Sequence, residues 1–228
     1  MEIPRLEIGA RALDALLGGG VESGSLTEVY GEGGTGKTNL CLQLACQVAR
    51  RNLWTIYVDS EGISIERLVQ IADAHGLTSA QALRRILVDT PKTLEQQEIV
   101  IERTADVMRE RSGKLGLVVV DSATTLYRLA LGQEGEDAAR QSLSAQVANL
   151  LHAALETSLP VVITNQVWKD IHSDTFEPIG GSFLNHIAKA IVRLDRLKEG
   201  WRRATIMKHR SLPEGRTADF CITARGVE

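Results

Sequence analysis

The sequence predicts an α/β fold: a mostly parallel, twisted sheet flanked by helices, with an antiparallel extension towards the C-terminus. Three observations predict it. Short β-branched or apolar runs alternate with segments of helical apolar spacing across residues 25–167. A glycine-rich stretch, GEGGTGKT, stands between the first such run and the first such helix. From Ala188 the alternation stops, and strand-like runs follow one another without helices between them. A chain of 228 residues is long enough for a sizeable core, and one domain over 1–228 is the expectation, with 1–12 a short N-terminal segment.

The elements follow in order. The first 20 residues end in Gly18-Gly19-Gly20, a loop signal. SLTEVYG (25–31) is a short strand that runs into the glycine-rich loop. NLCLQLACQVARR (39–51) has helical apolar spacing and good helix formers. LWTIYVDSEG (53–62) is a β-branched and aromatic run stopped by glycine, hence a strand. SIERLVQIADAHGL (64–77) is a helix with a glycine stop, RILVDT (85–90) a third strand, and TLEQQEIVIERTADVMRERSG (93–113) a long helix. LGLVVVDS (115–122) is an apolar strand ending in an acid. AARQSLSAQVANLLHAALETS (138–158) is another long helix, and LPVVITNQV (159–167) another buried strand. AIVRLDRL, RRATIMKHR and TADFCITA form the extension. The stretches 129–138 and 169–182 read as loose loops.

Apolar residues make up 43% and charged residues 24%, the balance of a soluble globular chain. The formal charge of −3 excludes a globally basic protein, so any nucleic-acid contact needs a local basic surface. Cys41, Cys46 and Cys221 have neither CxxC nor metal-ligand spacing, and the first two read as small buried hydrophobes. No apolar run approaches the ~18 residues of a membrane span, and the N-terminus lacks a signal-peptide pattern. A cytoplasmic protein is expected.

The glycine-rich stretch carries the chemistry. Gly31-Glu32-Gly33-Gly34-Thr35-Gly36-Lys37-Thr38 fits GxxxxGK[ST] in full, with a strand before and a helix after. Glycines let backbone N–H groups turn inward around phosphate oxygens, and the helix N-terminus adds positive potential. Lys37 is placed to reach the β- and γ-phosphates, and Thr38 to put its hydroxyl on Mg²⁺. Asp121, at the carboxyl end of an apolar strand, is the candidate acid for the metal shell, a turn or cap role being the alternative. Glu61 is the best candidate to orient an attacking water, with Asp59 a weaker competitor. Gln166, after Asn165 at the exit of a buried strand, is the candidate sensor of a γ-phosphate.

Together these residues resemble the RecA/RadA family of recombination ATPases. The stretches that carry the resemblance are LDALLGGGVESGSLTEVYGEGGTGKT (13–38), YVDSEG…ERL (57–68), LVVVDS (117–122), VVITNQV (161–167) and PIGGSFLNHIA (178–188), so it spans most of the chain. It implies a RecA-type core whose cofactors are ATP and Mg²⁺ and whose partner is DNA. By resemblance Lys37 and Thr38 bind phosphate and Mg²⁺, Asp121 is the Walker B acid, Glu61 the catalytic glutamate and Gln166 the nucleotide-sensing glutamine. Arg67 matches an arginine that lies against adenine in relatives, although this chain is one residue shorter between Glu61 and Arg67.

Two loops of the family touch DNA. They match the region after Tyr127-Arg128, through LALGQEGEDAARQ, and the stretch from Val167 to Gly181. Arg128, Arg140 and Lys169 are the cations assigned to DNA phosphates. Glu134, Glu136 and Asp137 in the first loop oppose that role. Only about a dozen residues precede the core, which leaves no room for the family's N-terminal DNA-binding domain and docking linker. KHRSLPEG (208–215) has His209 and Arg210 where relatives tend to be acidic. These departures look most like the short archaeal paralogues of RadA. They imply a weakly hydrolysing, nucleoid-associated accessory factor in homologous recombination and repair, without strand exchange of its own. A RadA-type recombinase, a branched-DNA nuclease or a second copy of the chain is the protein partner implied. An active strand-exchange recombinase and a RecA-like regulatory ATPase or kinase acting on proteins remain the alternatives.

Overall fold

The computed structural model describes residues 3–131, 135–169, 176–180 and 182–228, with backbone alone at 169 and 182. The chain opens with β1 (Arg5–Leu6) and α1 (Arg11–Leu16), and β2 (Val21–Glu22) pairs back antiparallel on β1. Then follow β3 (Ser25–Gly31), α2 (Lys37–Arg50), β4 (Trp54–Asp59), α3 (Ile65–Ala74), α4 (Ser79–Leu83), β5 (Ile86–Asp89) and α5 (Leu94–Arg111). The second half runs β6 (Leu115–Asp121), α6 (Thr125–Ala130), α7 (Glu136–Thr157), β7 (Pro160–Asn165), β8 (Val167–Lys169), β9 (Phe176–Pro178) and α8 (Ser182–Ile187). It closes with β10 (Ala190–Arg196), β11 (Trp201–His209), β12 (Thr217–Thr223) and β13 (Gly226–Val227).

Nine of these strands make one sheet in the order β13-β12-β11-β10-β3-β7-β6-β4-β5. From β10 to β5 neighbours are parallel, and β11, β12 and β13 add on antiparallel. The α/β expectation with an antiparallel C-terminal extension is borne out. β6 explains why its sequence is apolar throughout. Leu117 and Val119 face the core with α2 and α3, while Val118 and Val120 face the core with α5 and α7. A strand covered on both faces has no polar side to keep. Each such Val or Leu contributes roughly 1.5–3 kcal/mol by leaving water.

The central helix α2 is buried from Leu40 to Ala49, so it reads as more than a one-sided amphipathic helix. Its buried amides are satisfied. Gln43 Oε1 accepts from Val227 N at 2.7 Å, and Gln43 Nε2 donates to Ile8 O at 3.1 Å and Val227 O at 3.0 Å. One side chain thus pins both the N-terminal segment and β13 to the helix behind the glycine-rich loop.

Besides the short elements β1, α1, β2, α4 and α8, which the sequence did not announce, the two loops expected to touch DNA differ from the sequence expectation. The first presumed DNA loop is shortened by α6 and by an earlier start of α7, which places Glu136 and Asp137 in the first turn of α7. There the two acids complement the helix dipole, a use that loop reading does not provide. In the second, Val167–Lys169 and Phe176–Pro178 pair as an antiparallel hairpin, with Trp168 opposite Glu177. Glu134 and residues 170–175 lie outside the described residues. No described helix is long and apolar enough to cross a membrane.

Candidate nucleotide-binding site

The sheet register lines up the strand ends that build the site. Tyr30 pairs with Asn165, Asp59 pairs with Asp121, and Leu194 pairs with Gly31. The carboxyl ends of β3, β7, β6 and β4 therefore share one rim, where ligands sit in open α/β sheets.

On that rim the loop 31–36 enters α2. Gly36 has φ +103°, a left-handed conformation that a side chain would strain. At Gly31 an added Cβ would collide with the backbone carbonyl of Leu194 on β10. Thr35 is buried, and its hydroxyl donates to Glu32 O at 2.8 Å. Lys37 Nζ donates to Gly31 O at 2.7 Å and to Glu32 O at 3.0 Å, so it lies across the loop mouth. Burial pulls the Lys37 ammonium below its usual range, against the opposing fields of Glu61 and Asp121. The loop, its lysine and the helix N-terminus form a cradle that fits a polyphosphate.

Asp121 lies at the end of β6, buried beneath this rim. Its Oδ2 accepts from Tyr57 OH at 2.7 Å and its Oδ1 from Thr164 Oγ1 at 2.5 Å, and the Thr38 hydroxyl lies near enough to favour the ionised carboxylate. Burial pushes the carboxyl up, and the three hydroxyls pull it back. Thr38 and Asp121 are thus brought together, as a shared metal shell requires. Among the described residues no group of three or more His, Cys, Asp or Glu gathers to hold a metal by itself.

Glu61 follows β4 on a turn that Asp59 builds. The Asp59 carboxylate accepts from the N–H groups of Glu61, Gly62 and Ile63 at 3.1, 2.8 and 2.8 Å. The Asp59 carboxylate is thus occupied in holding the turn that carries Glu61, and Glu61 remains the candidate to orient water. Glu61 Oε1 accepts from Thr125 Oγ1 at 2.5 Å and from Gln166 Nε2 at 2.6 Å. Gln166 O in turn accepts from Ile179 N at 3.0 Å. Asn165, fully buried beside it, donates to Glu28 Oε1 at 2.7 Å and Ile179 O at 2.8 Å, and accepts from Thr124 Oγ1 at 2.7 Å.

Arg67 on α3 is committed within the chain. Its Nε donates to Asn39 Oδ1 at 2.5 Å, and its guanidinium reaches Thr223 O at 2.7 Å and Ala224 O at 3.2 Å. It thereby joins α3 to the C-terminal hairpin beside the loop. Arg128 at the end of α6 and Arg140 on α7 are exposed. Lys169 lies on β8, and its side chain is outside the described residues. In KHRSLPEG, Lys208 donates to Asn185 O, while His209 and Arg210 turn back on Glu22, a buried acid. Arg210 Nε bonds it at 2.6 Å, Arg5 at 2.9 Å, and His209 lies 3.8 Å away.

Sequence reading missed Tyr57, Thr125 and Thr164, whose hydroxyls are ordinary in strands and helix starts and become site groups through register alone. It also missed Arg196 and Arg202, which contact the loop from the antiparallel extension.

A strand, a glycine-rich loop and a buried helix, with an acid at the end of a nearby parallel strand, define the class of P-loop nucleotide-binding proteins. The chain belongs to the Rad51 family, whose match covers residues 1–228. It is similar to the DNA repair and recombination protein RadB of Methanococcoides burtonii, 44% identical over 95% of this chain and 94% of that protein. The RadB of Methanoculleus marisnigri is 40% identical over 100% of this chain and 99% of its own. Among solved structures, the crystal structure of the RadB recombinase superposes with a TM-score of 0.83 at 39% identity, covering 98% of each chain.

Proposed function

We propose that this chain is a DNA-binding, RecA-like ATPase that acts as an accessory or regulatory factor in homologous recombination and DNA repair. It hydrolyses ATP weakly and performs no strand exchange of its own. The names of its relatives, DNA repair and recombination protein RadB, support the pathway. The observation that carries the mechanism is the 2.6 Å hydrogen bond from Gln166 Nε2 to Glu61 Oε1. It joins the candidate water-orienting acid to the strand end that leads into the 167–181 loop.

Gly31, Glu32, Gly33, Gly34, Thr35, Gly36, Lys37 and Thr38 hold the phosphates, Thr38 and Asp121 hold Mg²⁺, and Arg67 borders the base. Bound Mg·ATP supplies a γ-phosphate as the electrophile. Glu61, held by Asp59 and Thr125, orients water towards it. Gln166 has one amide to share between Glu61 and a γ-phosphate. A change of partner shifts Gln166, whose carbonyl is bonded to Ile179 N. The loop between them, with Lys169, and the surface cations Arg128 and Arg140 then present a nucleotide-dependent face to DNA phosphates. This is a coupling between two sites.

The test is binding of a labelled single strand across a salt series with ATP, ADP or no nucleotide. Affinity that falls steeply with salt and differs between ATP and ADP is expected. Gln166→Ala is expected to erase the nucleotide difference while retaining ATP binding, and Lys37→Ala to lose ATP binding. Absence of DNA binding at low salt refutes the reading and points to a regulatory ATPase acting on proteins.

A further inference from the structure

A phosphate loop can turn its N–H groups inward only if its carbonyl groups turn outward. Each carbonyl from Gly31 to Gly34 meets a cation. Lys37 takes Gly31 O and Glu32 O. Arg196 donates through NH2 to Gly33 O. Arg202 donates through Nε and NH2 to Gly34 O, at 3.1 and 3.0 Å.

The two arginines come from an unusual place. They lie directly opposite one another at the end of the β10–β11 ladder. Like charges at such a position repel and weaken a sheet. The preceding pair in the same ladder, Asp195 opposite Arg203, is of opposite charge, and Arg203 is further engaged by Asp219 at 2.7 and 2.9 Å. So Arg203 serves the sheet, while Arg196 and Arg202 both aim at the back of the loop. Two carbonyl dipoles there give the like-charged pair a shared counter-group. The loop is fitted to them: Gly34 has φ +76°, and a Cβ at that position would strike the Arg196 guanidinium.

We propose that Arg196 and Arg202 are positioning residues that hold the phosphate loop in its binding shape before an anion arrives. The inference rests on the nucleotide reading of the site. Lys37 can exchange its two carbonyls for phosphate oxygens. The arginines stay on Gly33 O and Gly34 O and keep the adjoining N–H groups turned in.

Two measurements test this. The first is amide hydrogen exchange of the ligand-free chain. Arg196→Ala/Arg202→Ala is expected to speed exchange at residues 33–36 by about tenfold, as for loss of a charged hydrogen bond. The second is calorimetric affinity for Mg·ATP, expected to weaken about tenfold in each single alanine variant. Arg202→Lys keeps the charge, loses the two-donor fork and falls between. Arg203→Ala loosens the same ladder without touching the loop and leaves both measurements at parental values. Should the double variant disrupt the fold, the two single variants and Arg202→Lys carry the same comparison. Parental exchange and affinity in the folded variants, or effects no larger than those of Arg203→Ala, overturn the proposal. A parent chain that binds no ATP, with exchange still accelerated in the variants, defeats the nucleotide reading and leaves the clamp supported.

Discussion

Glu28 lies on β3 under the strand ends with no exposed surface. Its Oε1 accepts from Asn165 Nδ2 at 2.7 Å, and its Oε2 has no hydrogen-bond partner among the described residues. Burial raises the carboxyl from 4.5 to about 7, against the opposing pull of the Asn165 bond and the charge of Lys208. The folded chain therefore holds this proton more tightly than the unfolded chain does. The stabilisation is complete below the unfolded pKa and is lost as pH rises through about 7. A shift of that size, at 1.36 kcal/mol per pH unit, corresponds to about 3 kcal/mol. Glu28→Gln has the same shape, keeps an acceptor for Asn165 and never ionises. Relative to the parent, the variant should gain about 3 kcal/mol between pH 4 and pH 8, or about 6–12 °C in Tm for a chain of this size. Urea and thermal unfolding at the two pH values give the answer. Any fixed cost of placing an amide there is the same at both and cancels in the difference. A gap between variant and parent that does not change with pH refutes the reasoning, because Glu28 is then ionised in the fold.

Two further predictions concern the rim. Asp59→Asn weakens three charge-assisted bonds to the turn that carries Glu61. It should cost about 2 kcal/mol of stability and lower ATP turnover, with ATP affinity near parental, as calorimetry and a phosphate-release assay can separate. Asp121→Asn removes a buried charge and leaves one acceptor oxygen, so either the Tyr57 or the Thr164 hydroxyl must turn to accept from the new amide. Stability should change by about 1 kcal/mol or less, while the Mg²⁺ concentration needed for ATP binding rises about tenfold in a Mg²⁺ titration.

Elements with strong periodicity were legible in the sequence. β3 and β6 begin where read, and the three strands of the extension fall within a residue of their expected bounds. β6 and β7 are covered on both faces, so they are largely apolar and easily told from loops. The short elements were not legible. β1 and β2 have two residues each and exist only because they pair. α6 lacks a side-chain cap at its start, so Thr124 gave no helix signal; that hydroxyl bonds Asn165 instead. In the site, the phosphate loop and the candidate acids followed from local motifs. The hydroxyls on Asp121 and the arginines on the loop did not, because β10 and β11 reach the loop only through sheet topology.

That division bears on how the site responds to a ligand. Lys37, Glu61 and Gln166, found by motif, are each bonded to a group they would have to share or leave: Lys37 to loop carbonyls, and Glu61 and Gln166 to one another. Asp59, Arg196 and Arg202 are instead bonded to backbone groups whose orientation sets the site. The first set can exchange partners when phosphate arrives, and the second gives it a fixed frame. Asn165 sits between them. It is fully buried, with both amide hydrogens donated and its carbonyl bonded to Thr124. Because Gln166 is the next residue in the chain, a shift of Gln166 cannot pass back into the sheet without breaking bonds that have no water to replace them. Forward, the Gln166 carbonyl is bonded to Ile179 N, and Ile179 O is held in turn by Asn165, so Asn165 ties the start of the β8–β9 hairpin to the sheet as well.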